Sequence, residues 1–182
     1  MKKPGPDTGE LEPTEVVVHA MIECPAGTVT KRAYDPEQGK VEVEKEQGSP
    51  ERYAYLPFPA NYGFIPGTKV RSDDGGDGDP LDVFVLCEAL PAGTMLDVDV
   101  IGLIRISDED QINDRLVALP RDRGLRTMDA GSIDELPAGV VRILQQWILH
   151  HDAEKPVKVK GVKGPKAGMK AVEKWRTKKA GA

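Results

Sequence analysis

Helical periodicity is confined to the last third of this 182-residue chain, and short strand-like runs fill the part before it. Apolar and β-branched residues are concentrated in four runs: 16–22, 81–86, 95–106 and 115–119. A fifth run, 40–45, alternates between apolar and polar residues, as a half-exposed strand does. The run 95–106 is long and is predicted to bend near Gly102. Such short strands indicate an all-β body.

Two helices are predicted behind this body. Ser132-Ile-Asp-Glu135 has the form of a capping box, and apolar residues recur at helical spacing after it. Val157–Lys160 is predicted as a lysine-bearing edge strand, and Met169, Val172 and Trp175 line one stripe of a final helix. The pattern predicts a mainly β (α+β) fold, a small β-barrel with two C-terminal helices packed on it.

The length suits one domain covering residues 1–182, with a loose arm at 1–13 and a basic helix and tail at 166–182. No apolar run is long enough for a bilayer span, and no secretory signal is recognisable. Cys24 and Cys87 lie far apart and indicate small core residues of a reducing compartment. We therefore expect a cytoplasmic protein without a membrane partner.

Charge is distributed unevenly along the chain. Residues 155–182 carry ten Lys/Arg and one acid, whereas the rest is strongly acidic. A basic tail suggests nucleic acid, but its lysines are spread along the segment and only Trp175 could stack on a base. We expect no nucleic-acid partner, and the acidic body is the more informative part.

Three aspartates, Asp77, Asp79 and Asp82, stand within six residues on a glycine-rich loop that enters a buried strand. Carboxylates this dense repel one another unless a hard cation such as Mg²⁺ lies between them. A solvated acidic turn is the simple alternative, but Asp82 lies at the edge of the predicted core. An EF-hand starting at Asp73 fails, because Phe84 stands where a bidentate glutamate is required.

Asp77-Gly-Asp79-Pro-Leu-Asp82 resembles the D-x-D-P-x-D-V signature of the soluble family I inorganic pyrophosphatases. Asn61-Tyr-Gly-Phe-Ile-Pro66 is similar to that family's N-Y-G-x-I-P, and Glu23-Cys-Pro to its E-x-P. Asp108-Glu109 followed by Leu116-Val-Ala-Leu-Pro120 resembles a further element. These matches run in order over most of the chain, from about residue 15 to 161.

The resemblance implies an OB-like β-barrel and Mg²⁺-dependent hydrolysis of pyrophosphate to two phosphates, with several Mg²⁺ ions. It implies that Asp79 is the general base and that the metal ligands are Asp77, Asp82 and Asp108, with Glu23 acting through metal-bound water. The substrate-binding residues would be Lys31, Arg52 and Tyr62, with Lys45 an alternative to Arg52. Bacterial relatives assemble as homohexamers, so a homo-oligomer is expected.

The sequence departs from the family pattern at the outer positions. Asn113 stands at a metal-ligand position and Arg115 at that of a phosphate-binding lysine. Phe58 replaces a tyrosine, and His150-His151 replaces Tyr-Lys. Arginine keeps the charge and adds a bidentate fork, whereas asparagine removes a negative charge. The two histidines are either phosphate contacts or an ordinary helix C-terminus.

Two functions from different classes stay open. One is a working pyrophosphatase with altered metal demand, because the triplet of aspartates is complete. The other is a catalytically impaired protein of the same fold that binds metal or phosphate. Asn113 separates them, since turnover requires that the site assembles without a carboxylate there.

Overall fold

The computed structural model describes residues 16–53, 56–108, 111–152 and 157–177, so the predicted arm at 1–13 and the last residues of the tail lie outside the described residues. The strands are β1 Val18–Cys24, β2 Arg32–Asp35, β3 Lys40–Val43, β4 Lys45–Glu46, β5 Ser49–Pro50, β6 Asn61–Ile65, β7 Leu81–Val85, β8 Met95–Asp108, β9 Gln111–Ile112, β10 Arg115–Pro120 and β11 Lys158–Lys163. The α-helices are α1 Ala138–His150 and α2 Pro165–Trp175, and short 3₁₀ turns cover Ser72–Asp74, Arg123–Leu125 and Ile133–Glu135.

Five strands form a closed ring in the order β1-β6-β7-β10-β8, and β8 pairs back onto β1. All these pairs are antiparallel except β7 with β10, which run parallel. Among the described strands, the lysine-bearing strand β11 pairs only with β8, at the edge of the sheet. The predicted β-barrel with two helices is confirmed.

The long strand β8 holds the ring together by pairing with β1, β9, β10 and β11. Its register against β10 shifts between Val117 and Ala118, which lie opposite Gly102 and Val100, so Ile101 is the extra residue of a β-bulge. Bulges increase local twist and let a strand turn. The irregularity therefore falls beside Gly102, where the sequence predicts a bend.

Alternate residues of the central strands supply two separate apolar clusters. Leu81, Val83 and Val85 of β7 join the cluster that contains Trp175 of α2. Phe84 joins the other, with Trp147 of α1. Because side chains alternate across a strand, each face of the sheet receives one helix. Among the helices that the structure describes, none is long and apolar enough to span a membrane.

The start of the first helix differs from the sequence prediction. Ser132 Oγ accepts from the Asp134 N–H (3.4 Å) and the Glu135 carboxylate accepts from the Gly131 N–H (2.7 Å), but these bonds close the 3₁₀ turn Ile133–Glu135. α1 begins only at Ala138, because Pro137 adopts extended backbone (ψ 131°) and interrupts the helix. The prediction that the capping box opens the main helix is wrong.

The Asn-Tyr-Gly motif fixes how β6 packs. A Cβ on Gly63 would lie 1.8 Å from the Met21 carbonyl oxygen, so only glycine lets β6 approach β1 this closely. Asn61 is fully buried, and its side chain bonds the Leu90 N–H (2.8 Å) and the Glu88 carbonyl (2.9 Å). These two residues hold Tyr62, which lies between them, in a defined place opposite β7.

Candidate active site

The aspartate loop is held by backbone hydrogen bonds on two sides. Val70 N donates to the Asp79 carbonyl (2.8 Å), and Gly78 N donates to the Val70 carbonyl (2.8 Å). Ile112 N of β9 donates to the Gly75 carbonyl (2.7 Å). A Cβ on Gly76 would lie 2.6 Å from the Val70 oxygen, so the close approach depends on glycine. These contacts hold the backbone of the aspartate loop in place.

The carboxylates of Asp77, Asp79 and Asp82 act on one another. The Asp77 carboxylate accepts from the Asp79 N–H (3.0 Å). Partial burial raises the pKa of Asp79, and the negative charge of Asp77 raises it further. The pKa of Asp82 is also raised, mainly by burial and also by Asp77 and Asp79, against the opposing effects of a positive charge and a hydrogen bond. The three predicted aspartates therefore lie close enough for their negative charges to interact.

Glu23 belongs to the same cluster. It lies next to the end of β1, and burial raises the pKa of its carboxyl to about 7. A hydrogen bond from the Tyr34 N–H (2.7 Å) opposes this shift, while the charges of Asp82, Glu44 and Asp79 add to it. Four acidic groups therefore share a region that favours a cation.

Arg115 supplies the positive charge within the cluster. It lies directly opposite Asp82 in the parallel pairing of β10 with β7, and its guanidinium forms an ion pair with that carboxylate. The two side chains are only 15% and 21% exposed. Arg115 also donates to the Asn113 side-chain oxygen and lies 5.9 Å from the centre of the Tyr62 ring.

The donors suit magnesium, because every candidate ligand is a carboxylate or amide oxygen. A cation would relieve the repulsion that contributes to the raised pKa values of Asp79, Asp82 and Glu23. Within the described ranges, no three acidic, histidine or cysteine side chains already stand close enough to hold one ion, and Asp82 is instead engaged by Arg115. Asp108 ends β8, but its side chain lies outside the described part of the chain.

This fold agrees with comparisons to known proteins. Residues 20–179 match the family model of inorganic pyrophosphatase, which is most of the chain. The chain belongs to the inorganic pyrophosphatase family. An inorganic pyrophosphatase of Saccharolobus solfataricus is 32% identical over 174 residues, covering 94% of this chain and 93% of the relative.

Solved structures of the family give the same result. The inorganic pyrophosphatase of Thermus thermophilus is 30% identical, with a TM-score of 0.74 over 89% of this chain and 90% of that one. The enzyme from Helicobacter pylori is 29% identical, with a TM-score of 0.76 over 91% and 96% of the two chains. The predicted family and its OB-like β-barrel are thereby confirmed.

The residues expected to bind substrate differ in their exposure and in the ion pairs that they already form. Lys31 binds the Glu44 (2.9 Å) and Glu51 (3.0 Å) carboxylates, and these hydrogen bonds raise the pKa of its ammonium group although burial acts to lower it. Arg52 is exposed and its backbone pairs with Thr30. Lys45, the alternative to Arg52, is exposed on β4.

Tyr62 lies in an aromatic cluster and its hydroxyl is engaged by Asp82. Its ring centre is 5.4 Å from that of Phe58 and 5.0 Å from that of Phe84. A hydrogen bond joins its hydroxyl to the Asp82 carboxylate, and burial together with that carboxylate raises the tyrosine pKa well above its usual range. Phe58, at the position where the family has a tyrosine, is buried in the same cluster.

The two histidines lie at the end of α1. His151 Nδ1 contacts the Trp147 (3.0 Å) and Ile148 (3.1 Å) carbonyls, and its ring stacks on Trp147 at 4.1 Å. Because carbonyls only accept, this nitrogen carries the proton. Burial lowers the pKa of His151, and the positive charge of Arg115 contributes. His150 is exposed and its Nδ1 contacts the Gln146 carbonyl (2.8 Å). Both contacts are those of a helix C-terminus.

Sequence reasoning missed Glu44 and underestimated Arg115. Glu44 binds Lys31 and raises the pKa values of both Glu23 and Asp79, so it faces the cluster. The period-two pattern of residues 40–45 identifies a strand but does not say what that strand faces. The ion pair of Arg115 with Asp82 depends on the parallel register of two strands that are far apart in sequence.

Replacing Glu23 with glutamine should stabilise the metal-free protein at pH 8 by about 3 kcal/mol, because the carboxyl pKa lies near 7 in the fold and 4.5 in the unfolded chain. A raised folded-state pKa stabilises the protein below pH 4.5, and this stabilisation disappears as the pH rises through 7. Denaturant unfolding in EDTA at pH 4.5 and 8 measures it. Glu42→Gln, on exposed β3 surface, is the matched control. An equal effect of both substitutions at pH 8 would contradict the burial of Glu23.

Proposed function

We propose that Asp77, Asp82 and Glu23 hold Mg²⁺ and that Asp79 activates the attacking water, in the hydrolysis of inorganic pyrophosphate to two phosphates. The protein is an inorganic diphosphatase by family. The observation that carries the residue assignment is the shared field of the four carboxylates, each of which has a raised pKa or raises that of another. Asp108 and Asn113 are proposed as further metal ligands.

When bound, Mg²⁺ lowers the pKa of water and neutralises phosphate oxygens. The Asp79 carboxylate takes a proton from the water, whose oxygen attacks one phosphorus while the bridging P–O bond breaks and the second phosphate leaves. The raised pKa of Asp79 makes it a stronger base than an aspartate with an ordinary pKa. Asp79 is also an exposed residue, so water can reach it.

Arg115 acts on the substrate side. Its planar guanidinium can bind a phosphate through two parallel hydrogen bonds, and Asp82 holds it in place until substrate arrives. We propose that Arg115 exchanges Asp82 for a phosphate oxygen when a cation takes over the carboxylate. Lys31, Arg52, Tyr62 and the two histidines are proposed as the remaining substrate contacts, Lys31 after release from its glutamates.

Phosphate release from pyrophosphate tests this function, measured with Mg²⁺ and with EDTA. We expect turnover with Mg²⁺ and none with EDTA, and the same series with other divalent metals gives the metal preference. A protein that binds Mg²⁺ and pyrophosphate but releases no more phosphate than its Asp79→Asn variant is not a working enzyme.

One observation favours the second candidate, a protein that binds metal or phosphate without turnover. A guanidinium pairs with Asp82, the carboxylate expected to bridge two ions, and that guanidinium also binds Asn113 at a position where the family has an acid. If this pair persists in the presence of Mg²⁺, the metal set is incomplete. The phosphate-release assay separates the two candidates.

Replacing Asn113 with aspartate should tighten Mg²⁺ binding about 10-fold, because it restores a negative charge among the oxygen donors. Activity should then reach its maximum at a lower Mg²⁺ concentration. The measurement is a Mg²⁺ titration of phosphate release and of metal binding. The neighbouring acid, Asp114, does not supply this missing charge, because it is paired with Arg105. An unchanged titration would mean that residue 113 does not face the metal.

The expectations on location and assembly are also proposals. Cys24 and Cys87 are free thiols, which supports a reducing compartment such as the cytoplasm. We propose a homo-oligomer, a hexamer by resemblance to bacterial relatives. Sedimentation of the purified full chain measures its mass, and a monomer at micromolar concentration would contradict this assembly.

A further inference from the structure

A cavity of about 560 Å³ lies between β8, β9, β11 and α2. This volume is within the range of small-molecule pockets. Part of its lining is apolar and includes Ile106, Ile112, Ala171 and Trp175. The remainder is basic, with five cationic side chains: Arg105, Lys160, Lys163, Lys170 and Lys174.

Among the residues that the structure describes, most of these cations lack a carboxylate partner. Arg105 pairs with Asp114 at 3.3 Å, and the Lys174 ammonium lies 3.9 Å over the Trp175 ring. In the part of the chain that the structure describes, none of the four lysines forms an ion pair. Positive charges gathered around one cavity repel each other, and a phosphate group relieves this while accepting hydrogen bonds from them.

Asp114 gives the cavity a second chemical requirement. Its side chain is only 4% exposed and one carboxylate oxygen accepts from Arg105. The other oxygen, Oδ1, is buried and has no hydrogen-bond partner among the described residues. An unpaired buried acceptor is costly, so this oxygen favours a ligand that brings a donor. An inorganic polyphosphate brings no hydroxyl or amino group.

We propose that this cavity is a binding site for a nucleoside polyphosphate. The phosphates bind the lysines and Arg105, a ribose hydroxyl or a base amino group donates to Asp114 Oδ1, and the apolar wall receives the base. The site is distinct from the aspartate cluster, since Asp114 and Arg115 are consecutive residues at the start of β10. Leu116 packs on the α2 side and Val117 on the α1 side, and Arg115 faces Asp82.

The cavity is joined directly to the aspartate loop. Ile112 in its wall donates to the Gly75 carbonyl (2.7 Å), and the Trp175 carbonyl accepts from the Lys69 N–H (2.8 Å). Gly75 and Lys69 belong to the segment that carries or precedes the aspartates. A ligand that shifts these walls would therefore change pyrophosphate turnover, and this coupling alone rests on the proposed function.

The test measures ATP binding to the full-length protein by equilibrium dialysis in EDTA, where the active-site carboxylates repel phosphate. The double variant Lys163→Glu/Lys170→Glu should bind ATP at least about 10-fold more weakly. Lys158→Glu/Lys166→Glu carries the same charge change on β11 and α2, at exposed positions outside the cavity lining, and should stay within about 2-fold. Equal weakening in both pairs, or no ATP binding to the unchanged protein, overturns the site.

A comparison of ATP with inorganic triphosphate distinguishes binding of the nucleoside from binding of the phosphates. The unchanged protein should prefer ATP, and Asp114→Ala should reverse this by strengthening triphosphate binding and removing the acceptor for the nucleoside. An unaltered preference overturns the nucleoside assignment. Phosphate release from pyrophosphate with and without ATP then reports the coupling. If no pyrophosphate is hydrolysed, the proposed function fails while the dialysis still decides the site.

Discussion

Replacing Asp79 with asparagine should lower phosphate release from pyrophosphate about 10²–10⁴-fold, the usual contribution of a general base. The amide has nearly the same size but cannot take a proton from water. The fold should be unaffected, because Asp79 is exposed and its loop is held through its backbone carbonyl. The measurement is the initial rate at saturating Mg²⁺ and pyrophosphate.

Asp74→Asn is the matched control. Asp74 is an exposed aspartate of the same segment, paired with Arg71 at 2.6 Å, and its substitution should leave the rate within about 2-fold. If higher Mg²⁺ restores the Asp79→Asn rate, Asp79 acts as a metal ligand instead of a base. A loss smaller than about 10-fold would move the role of base to another group.

The sequence was sufficient for the elements that depend on local pattern. The β-branched runs predict four of the five ring strands, β1, β7, β8 and β10 but not β6, and helical spacing predicts both helices. The start of α1 could not be predicted from the capping box alone, because Ser132 and Glu135 stabilise a 3₁₀ turn equally well and Pro137 then sets the helix start. Local signals identify a cap without fixing the length of the helical segment that it opens.

Long-range pairing accounts for the features that no local pattern predicts. The aspartate triplet is visible because its members lie within six residues, but closure of the ring through β1 and β8 joins distant segments. The proximity of Glu44 to Glu23 results from tertiary packing in the same way. The residues carried over from the family pattern could be named in advance, whereas their ion pairs could not.

Replacing Arg115 with methionine should destabilise the metal-free protein by about 3–5 kcal/mol, because it leaves the half-buried Asp82 without its positive partner. Mg²⁺ should recover most of this loss, since a cation at Asp82 replaces the missing charge. Arg115→Lys should retain most of the stability and show little additional recovery. Denaturant unfolding of each variant in EDTA and in Mg²⁺ gives these differences, with the pyrophosphate KM as a second readout.

Arg105→Met is the matched control, which separates recovery by Mg²⁺ at Asp82 from a general stabilisation of the protein by Mg²⁺. Arg105 also pairs with a buried aspartate, Asp114, but on the other side of β10 and away from the proposed metal ligands. Its loss should destabilise the protein without recovery by Mg²⁺. Equal recovery in both variants would show that Mg²⁺ stabilises the protein elsewhere. Recovery confined to Arg115→Met would mean that the guanidinium and the metal compete for Asp82, so that Arg115 becomes available to phosphate only when the metal binds.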